Sequence, residues 1–329
     1  MRGKVRATFA PLIIMNVVFS YIGKIPQYAV DCIFQLRLFY SGDIYIITDD
    51  VYSPVLRHPA LKNIYIVPYH EVRHEEWENL MKTHERHFAV IDGINERRFL
   101  FKTSMERFFL ISNLMLKYEL SDVFFMEFDN MMYFDPREML AQFSNGSDMA
   151  YTIDDVERAC AVFMYVKSAT AFSPLLDYTI KYVIENTGRE WLNEMQVLYR
   201  YWRAAPRGTV QVLPTLFKAA DFAPATEIPV AENYKKYNSI FDAQALGIYL
   251  CGIDKFHSGG TLKLGSKSQW SRMDFTKYSY IWLIDEAGRK IPYILDDDGM
   301  PIKINNLHVH SKDLFLAASI PVPGVKVDV

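Results

Sequence analysis

The stretch Val123-Phe-Phe-Met-Glu-Phe-Asp-Asn-Met-Met-Tyr-Phe-Asp135 is where this chain changes from core to chemistry. Four apolar residues end in a carboxylate pair, Glu127 and Asp129. If the segment stays extended, a side-chain period of two puts both carboxylates on one side, within reach of a single divalent cation. Carboxylates are rarely buried without a partner, so a pair closing an aromatic strand calls for a metal, a basic side chain or a substrate. The plain alternative is an acidic turn solvated by water.

Working outward, the first 150 residues alternate between strand-like and helix-like segments. Leu12 to Phe19 reads as a buried strand. Pro26 to Tyr40 carries apolar residues at helical spacing. Asp43 to Ile47 is a strand running into Thr48-Asp49-Asp50, and Asn63 to Val67 is another. Such alternation predicts an α/β fold with a mostly parallel central sheet covered by helices on both faces. Ligands of such sheets bind outside the carboxyl ends of the strands, which puts Asp49, Glu127 and Asp129 on one edge. Thr103-Ser-Met-Glu106 has the pattern of a capping box opening a helix that reaches Tyr118, which makes Glu106 a cap and leaves Arg107 to face the ligand edge.

The second half, from residue 151 to 329, is less regular. Ala159 to Val166 reads as a strand, Ser173 to Glu185 as a helix, and Asn193-Glu194 as the start of a helix reaching Trp202. Pro206, Pro214, Pro224 and Pro229 then break the chain into loops and short strands. Near the end, Ile304-Asn-Asn-Leu-His-Val-His-Ser-Lys312 sets His308 and His310 at strand spacing, followed by a lysine.

Composition narrows the function classes. Half of the 329 residues are hydrophobic and 15% aromatic, enough for one large domain or two smaller ones. A net charge of −3 offers no overall footprint for nucleic acid. Cys32, Cys160 and Cys251 are odd in number and widely spaced, as in reduced thiols of a cytoplasmic protein. Arg2, Lys4 and Arg6 before the apolar run Phe9 to Ile22 imitate a signal peptide, but Asn16 and Ser20 interrupt it and no small-residue cleavage site follows. No stretch is long enough to span a bilayer as a helix. Asn145-Gly-Ser147 is a formal glycosylation sequon without meaning in a chain that is not secreted.

His70-Glu-Val-Arg-His74 matches the zinc-binding H-E-x-x-H pattern of metalloproteases. Pro68 confines His70 to the first turn of any helix, and Glu75-Glu-Trp-Glu-Asn79 is polar rather than core-facing. A zinc site is not expected there.

Taken in order, Pro26 to Gln35, Ser104-Met-Glu-Arg-Phe108, Phe125-Met-Glu-Phe-Asp-Asn130, Phe241-Asp242 with Gly247-x-Tyr249-x-x-Gly252-x-Asp254, and Asn306-Leu-His-Val-His-Ser-Lys312 resemble a family of bacterial and viral nucleotide-sugar glycosyltransferases of the GT-A fold. The resemblance covers nearly the whole chain. It implies a donor-binding half over residues 1–150, a D-x-D-type metal site at Glu127-x-Asp129, and an acceptor half over 151–329, all within one continuous unit. The terminal histidine-lysine element of glycogenin-like enzymes is similar in role to His308, His310 and Lys312, although the spacing here is shorter.

The chemistry implied is transfer of a sugar from a nucleotide-diphosphate donor, UDP- or GDP-linked, to a glycan or glycoconjugate hydroxyl. Charge on the departing diphosphate needs a preorganised cation, Mn2+ or Mg2+, held by carboxylates. Asp129 is the first ligand expected, with His310 or His308 completing the shell. Glu127 binds the donor ribose or a metal-bound water, Lys312 or Arg107 holds the diphosphate, and Asp49 suits the base or ribose. An inverting reaction needs a carboxylate base, for which Glu194 leads and Asp242, Asp154 and Asp155 are rivals; a retaining one needs none. Two other classes share parts of the pattern. A sugar-1-phosphate nucleotidyltransferase would show a glycine-rich loop where this chain reads Ser20-Tyr-Ile-Gly-Lys-Ile-Pro26, and a silent sugar-nucleotide-binding domain would lack metal dependence.

Overall fold

The computed structural model describes residues 15–59, 61–91, 98–187, 192–222, 228–254, 264–265, 267–268 and 271–320. Its elements in chain order are β1 (Asn16–Tyr21), α1 (Ala29–Arg37), β2 (Ile44–Thr48), β3 (Ile64–Pro68), α2 (Tyr69–Val72), α3 (Glu75–Ile91), α4 (Arg98–Lys117), β4 (Ser121–Met126), β5 (Asn130–Met132), α5 (Leu140–Ser144), β6 (Met149–Asp155) and β7 (Arg158–Ser168). There follow α6 (Ala169–Asn186), α7 (Glu194–Ala204), β8 (Val210–Leu213), α8 (Tyr234–Tyr237), β9 (Ser239–Ile240), α9 (Ala245–Cys251), β10 (Tyr280–Ile284), β11 (Lys290–Leu295), β12 (Pro301–Ile304) and β13 (Asn306–His308).

Seven strands form the central sheet in the order β3-β2-β1-β4-β7-β6-β8. β1 pairs in parallel with β2 and β4, and β2 with β3, while β7 alone runs against its neighbours β4 and β6. The last four residues of β4 and eight consecutive residues of β7 are buried, so both faces of the sheet centre are covered, as the apolar runs require. Registers Val17↔Ile44 and Asn16↔Val123 align the strands so that β1, β2 and β4 end on the same edge. Asp49 and Glu127 each follow the last residue of their strand on that edge.

The sheet is closed by aromatic packing. Phe163 meets Phe124 edge-on at 4.5 Å and stacks on Phe241 at 5.2 Å, and Phe143 packs against both Phe124 and Phe241. Each such pair contributes roughly 0.5–1.5 kcal/mol beyond its buried area. Because Phe241 stands far along the chain, this cluster ties the later segments onto the sheet. Two smaller sheets complete the fold: β10-β11-β12-β9, and the antiparallel pair β13-β5.

Several sequence expectations shift. α4 starts at Arg98, so Thr103 lies inside it and bonds back to the Leu100 carbonyl at 3.0 Å. Glu106 is therefore no cap; it is buried and accepts from the Tyr69 hydroxyl at 2.7 Å. The H-E-x-x-H segment is split: α2 ends at Val72, Arg73 is extended with ψ 152°, and α3 begins after His74. The two histidines thus do not share a helix face. β1 begins at Asn16; the residues from Leu12 to Ile14, Pro224 and Trp191 lie outside the described residues. A boundary at residue 150 falls inside β6, which belongs to the same sheet as β1–β4.

Candidate active site

Asp129 sits on a turn rather than on a strand. β4 stops at Met126, and Asn130 N–H donates to the Glu127 carbonyl at 3.2 Å, closing Glu127-Phe128-Asp129-Asn130 into a tight bend. Glu127 and Asp129 are brought together by that bend, not by strand alternation as their spacing suggests. Phe128 between them stacks on Phe19 at 4.6 Å and anchors the bend to β1.

The chain returns to this bend through β13. Asn306↔Met132 and His308↔Asn130 pair antiparallel, and Val309 N–H donates to the Asp129 carbonyl at 2.7 Å. That register sets His308 Nε2 3.3 Å from Asp129 Oδ2. Lys312 Nζ donates to the same oxygen from a left-handed backbone, φ 67°. A non-glycine residue held there carries local strain, which the surrounding contacts must hold in place. Burial raises the Asp129 pKa, but Lys312 and His308 outweigh it and keep the carboxyl well below its ordinary value. Asp129 Oδ1 is buried and has no hydrogen-bond partner among the described residues.

His308 is oriented by its backbone neighbours. Its Nδ1 stands 3.1 Å from the Ala243 carbonyl, an acceptor only, so Nδ1 carries the proton and Nε2 turns toward Asp129. Asp242 supports this from below: Oδ1 accepts from Leu246 N–H at 3.0 Å, and Oδ2 accepts from Gly247 N–H at 2.8 Å and His308 N–H at 2.9 Å. Burial raises the Asp242 pKa to about 6, with those N–H donors opposing. Asn306 joins the pieces, donating to Asn130 Oδ1 and the Asp242 carbonyl and accepting from Asp242 N–H. Gly247 is required by space: a Cβ there would stand 1.9 Å from the His308 carbonyl oxygen.

On the other side of the bend, buried Arg107 donates to Glu127 and lies 3.5 Å from Glu194 Oε1. Its guanidinium also covers the Phe125 ring at 5.1 Å. Glu194 opens α7, whose N-cap Asn193 accepts from Gln196 N–H at 2.9 Å. Burial raises the Glu194 pKa to about 6 against the pull of Arg107, and its Oε2 has no partner among the described residues.

These groups edge a cavity of about 350 Å³ lined by Tyr21, Tyr28, Arg107, Glu127, Asp129 and Lys312, among others. Glu127, Asp129 and His308 can each offer one ligand atom within 4.8 Å of the others, the kind of mixed oxygen and nitrogen set that a divalent cation takes. The orphaned Asp129 Oδ1 supplies the observation that the set fits a cation: it is an acceptor left unsatisfied by protein.

Other expected residues stand elsewhere. His310 does not join the cluster; β13 ends at His308, and His310 turns away to Asp254 Oδ2 at 2.9 Å. Asp49 accepts from Gly23 N–H at 2.7 Å in a neighbouring cavity of about 750 Å³ that does not include Asp129. Asp154 is consumed by Arg158 and Gln244, and Asp155 by Arg272. Asn130, Asn306 and Gly247, which lock the bend to the tail, had no assigned role in the sequence reading. All three stand within the segments that carry the family resemblance, as polar or small residues among apolar neighbours. The three cysteines are buried thiols, and no helix among the described residues is long and apolar enough to cross a membrane.

No protein-family model and no curated protein matches the sequence. Among solved structures, the chain is similar to mouse xyloside xylosyltransferase 1 in its apo form, at 11% identity over 61% of this chain and 86% of that one, with a TM-score of 0.40. It is also similar to the galactosyltransferase LgtC in complex with donor and acceptor sugar analogues, at 11% identity over 66% and 81% and a TM-score of 0.43. The PaToxG glycosyltransferase matches at 14% identity over 58% and 69%, with a TM-score of 0.37. These neighbours are glycosyltransferases; likenesses of this size leave the reading of the site to its own residues.

Proposed function

We propose that this chain is a metal-dependent glycosyltransferase of the GT-A type that moves a sugar from a UDP- or GDP-linked donor to a hydroxyl of a glycan or glycoconjugate. The observation that carries the reading is the buried Asp129 Oδ1, unpartnered among the described residues, beside Glu127 and His308, at the carboxyl edge of a mostly parallel sheet and under an open cavity. Glu127, Asp129 and His308 would hold Mn2+ or Mg2+, which when bound supplies the positive charge that a departing diphosphate needs.

The chain's own residues then divide the work. Lys312 lines the cavity and puts an ammonium beside Asp129, where a donor diphosphate would take it as a point charge. Arg107 is occupied by Glu127 and Glu194, so in this reading it fixes the Glu127 carboxylate rather than the donor. Glu194 acts through Arg107 and is a positioning residue. Asp242 likewise positions His308 through the backbone, since both of its oxygens are engaged by N–H groups. Tyr21 and Tyr28 present aromatic surface to the cavity, suited to a nucleoside or sugar ring. Asp49 remains the proposed contact for the base or ribose, from the adjoining cavity.

The test is thermal melting with UDP-, GDP- and CDP-sugars, with and without Mn2+, followed by product analysis. Stabilisation by one sugar nucleotide only when Mn2+ is present, with release of nucleoside diphosphate on adding an acceptor, is the expected result. Release of pyrophosphate from a nucleoside triphosphate and a sugar phosphate would instead identify a nucleotidyltransferase, and binding without turnover a silent domain.

A further inference from the structure

A second groove, about 610 Å³ in volume, lies along β8 at the free edge of the central sheet. β4 and β6 both run against β7, so they point the same way, and β8 is parallel to β6. The groove is lined by Asn145 and Ser147 before β6 and by Gly208 and Val210 at the start of β8. It therefore opens toward the amino ends of these strands, whereas Asp129 follows the carboxyl end of β4. The two cavities share no lining residue.

Its charge is one-sided. Among the described residues, Arg203, Arg207 and Lys236 line it against a single acid, Glu232, and the Arg203 guanidinium lies over the Trp202 ring at 5.8 Å. Neither Arg207 nor Lys236 has an ion-pair partner among the described residues. Lys236 is half-buried, and its Nζ donates to a neutral acceptor, Gln211 Oε1, at 2.8 Å. Gln211 is in turn held by donating to the Tyr237 hydroxyl at 2.7 Å. Burial lowers the Lys236 pKa, the cost expected of an ammonium drawn from water without a counter-ion. Such a cation gains most from an anion supplied by a ligand. Beside these charges Trp202 offers a partly exposed indole.

We propose that this groove binds an anionic saccharide, a sulfate- or phosphate-bearing sugar chain, with Lys236 and Arg207 on the anionic groups and Trp202 against a ring face. Two such cations, Arg207 and Lys236, in one groove on a chain of net charge −3 suit a short anionic oligosaccharide better than a nucleic-acid duplex, whose binding needs an extended basic surface. The inference uses no residue around Asp129 and does not depend on the function proposed for that site.

Isothermal titration of the full chain with a heparin-derived tetrasaccharide, its desulfated counterpart, inorganic sulfate and a short DNA duplex tests it. The sulfated tetrasaccharide should bind, weaken as salt rises, and lose about 10-fold in affinity in the Lys236→Gln, Arg207→Gln double variant. Asp129→Asn should leave this binding unchanged, which separates it from the other cavity. In protein labelled at the indole nitrogens, the signal that disappears in Trp202→Phe should be the one that shifts. Equal affinity for the desulfated sugar, tighter binding of the duplex, unchanged binding in the double variant or no binding at all would overturn the proposal.

Discussion

His308 Nε2 stands 3.3 Å from Asp129 Oδ2 although the two residues are 179 positions apart. The contact exists because β13 pairs with β5 immediately after the acidic bend, so the tail's position is dictated by backbone hydrogen bonds rather than by the charges themselves. The imidazole faces a carboxylate whose other oxygen is unsatisfied, and a cation would satisfy both.

Asp129→Ala should lower transfer by at least ~10²-fold, the loss typical when one electrostatic stabiliser of a transition state is removed. Far-ultraviolet circular dichroism should stay unchanged, because the bend is held by backbone bonds and by Phe128. Full activity of this variant, or of wild type in excess chelator, would refute the metal assignment.

The two histidines should separate cleanly. His308→Ala is expected to weaken Mn2+ binding to the sugar-free protein by 10- to 100-fold or more, on the order reported for disturbed metal shells. His310→Ala, whose ring is held by Asp254, should change it by less than about 2-fold. Titration calorimetry reads both. A larger loss for His310→Ala would mean that the tail refolds around the metal.

Gly247→Ala places a methyl against the His308 carbonyl and should cost roughly 1–3 kcal/mol of stability. Because the displaced strand carries His308, metal affinity should fall with it. Urea unfolding and metal titration on the same variant check the link; an unperturbed Mn2+ affinity in a destabilised protein would show that α9 does not set the position of His308.

Glu194 gives a pH signature. Its folded pKa, about 6, lies above its ordinary 4.5, so the folded state favours the protonated carboxyl. Its contribution to stability is thus fullest below about 4.5 and is lost as pH rises through about 6, a change on the order of 2 kcal/mol. In Glu194→Gln that part of the slope should vanish. Melting temperatures of the two proteins measured between pH 4 and 8 should differ in slope between about pH 4.5 and 6 and run parallel outside that window; parallel curves throughout would place Glu194 in a more solvated setting.

What the sequence by itself determined is the local order: apolar runs at β1, β2, β4 and β7, a helix starting after Asn193, and acids at the ends of strands that a parallel sheet brings to one edge. Burial and propensity act within a few residues, so patterns of period two or 3.6 report them directly. The tertiary structure decided the rest. Whether His308 or His310 faces Asp129 depends on where β13 stops, one residue past Leu307, and on which ring finds the Ala243 carbonyl and which finds Asp254. Asp242 and Glu194 look alike in sequence, as acids beside helix starts, yet one grips three backbone N–H groups and the other an arginine. Those outcomes follow from long-range strand pairing and desolvation, which no window of neighbouring residues contains.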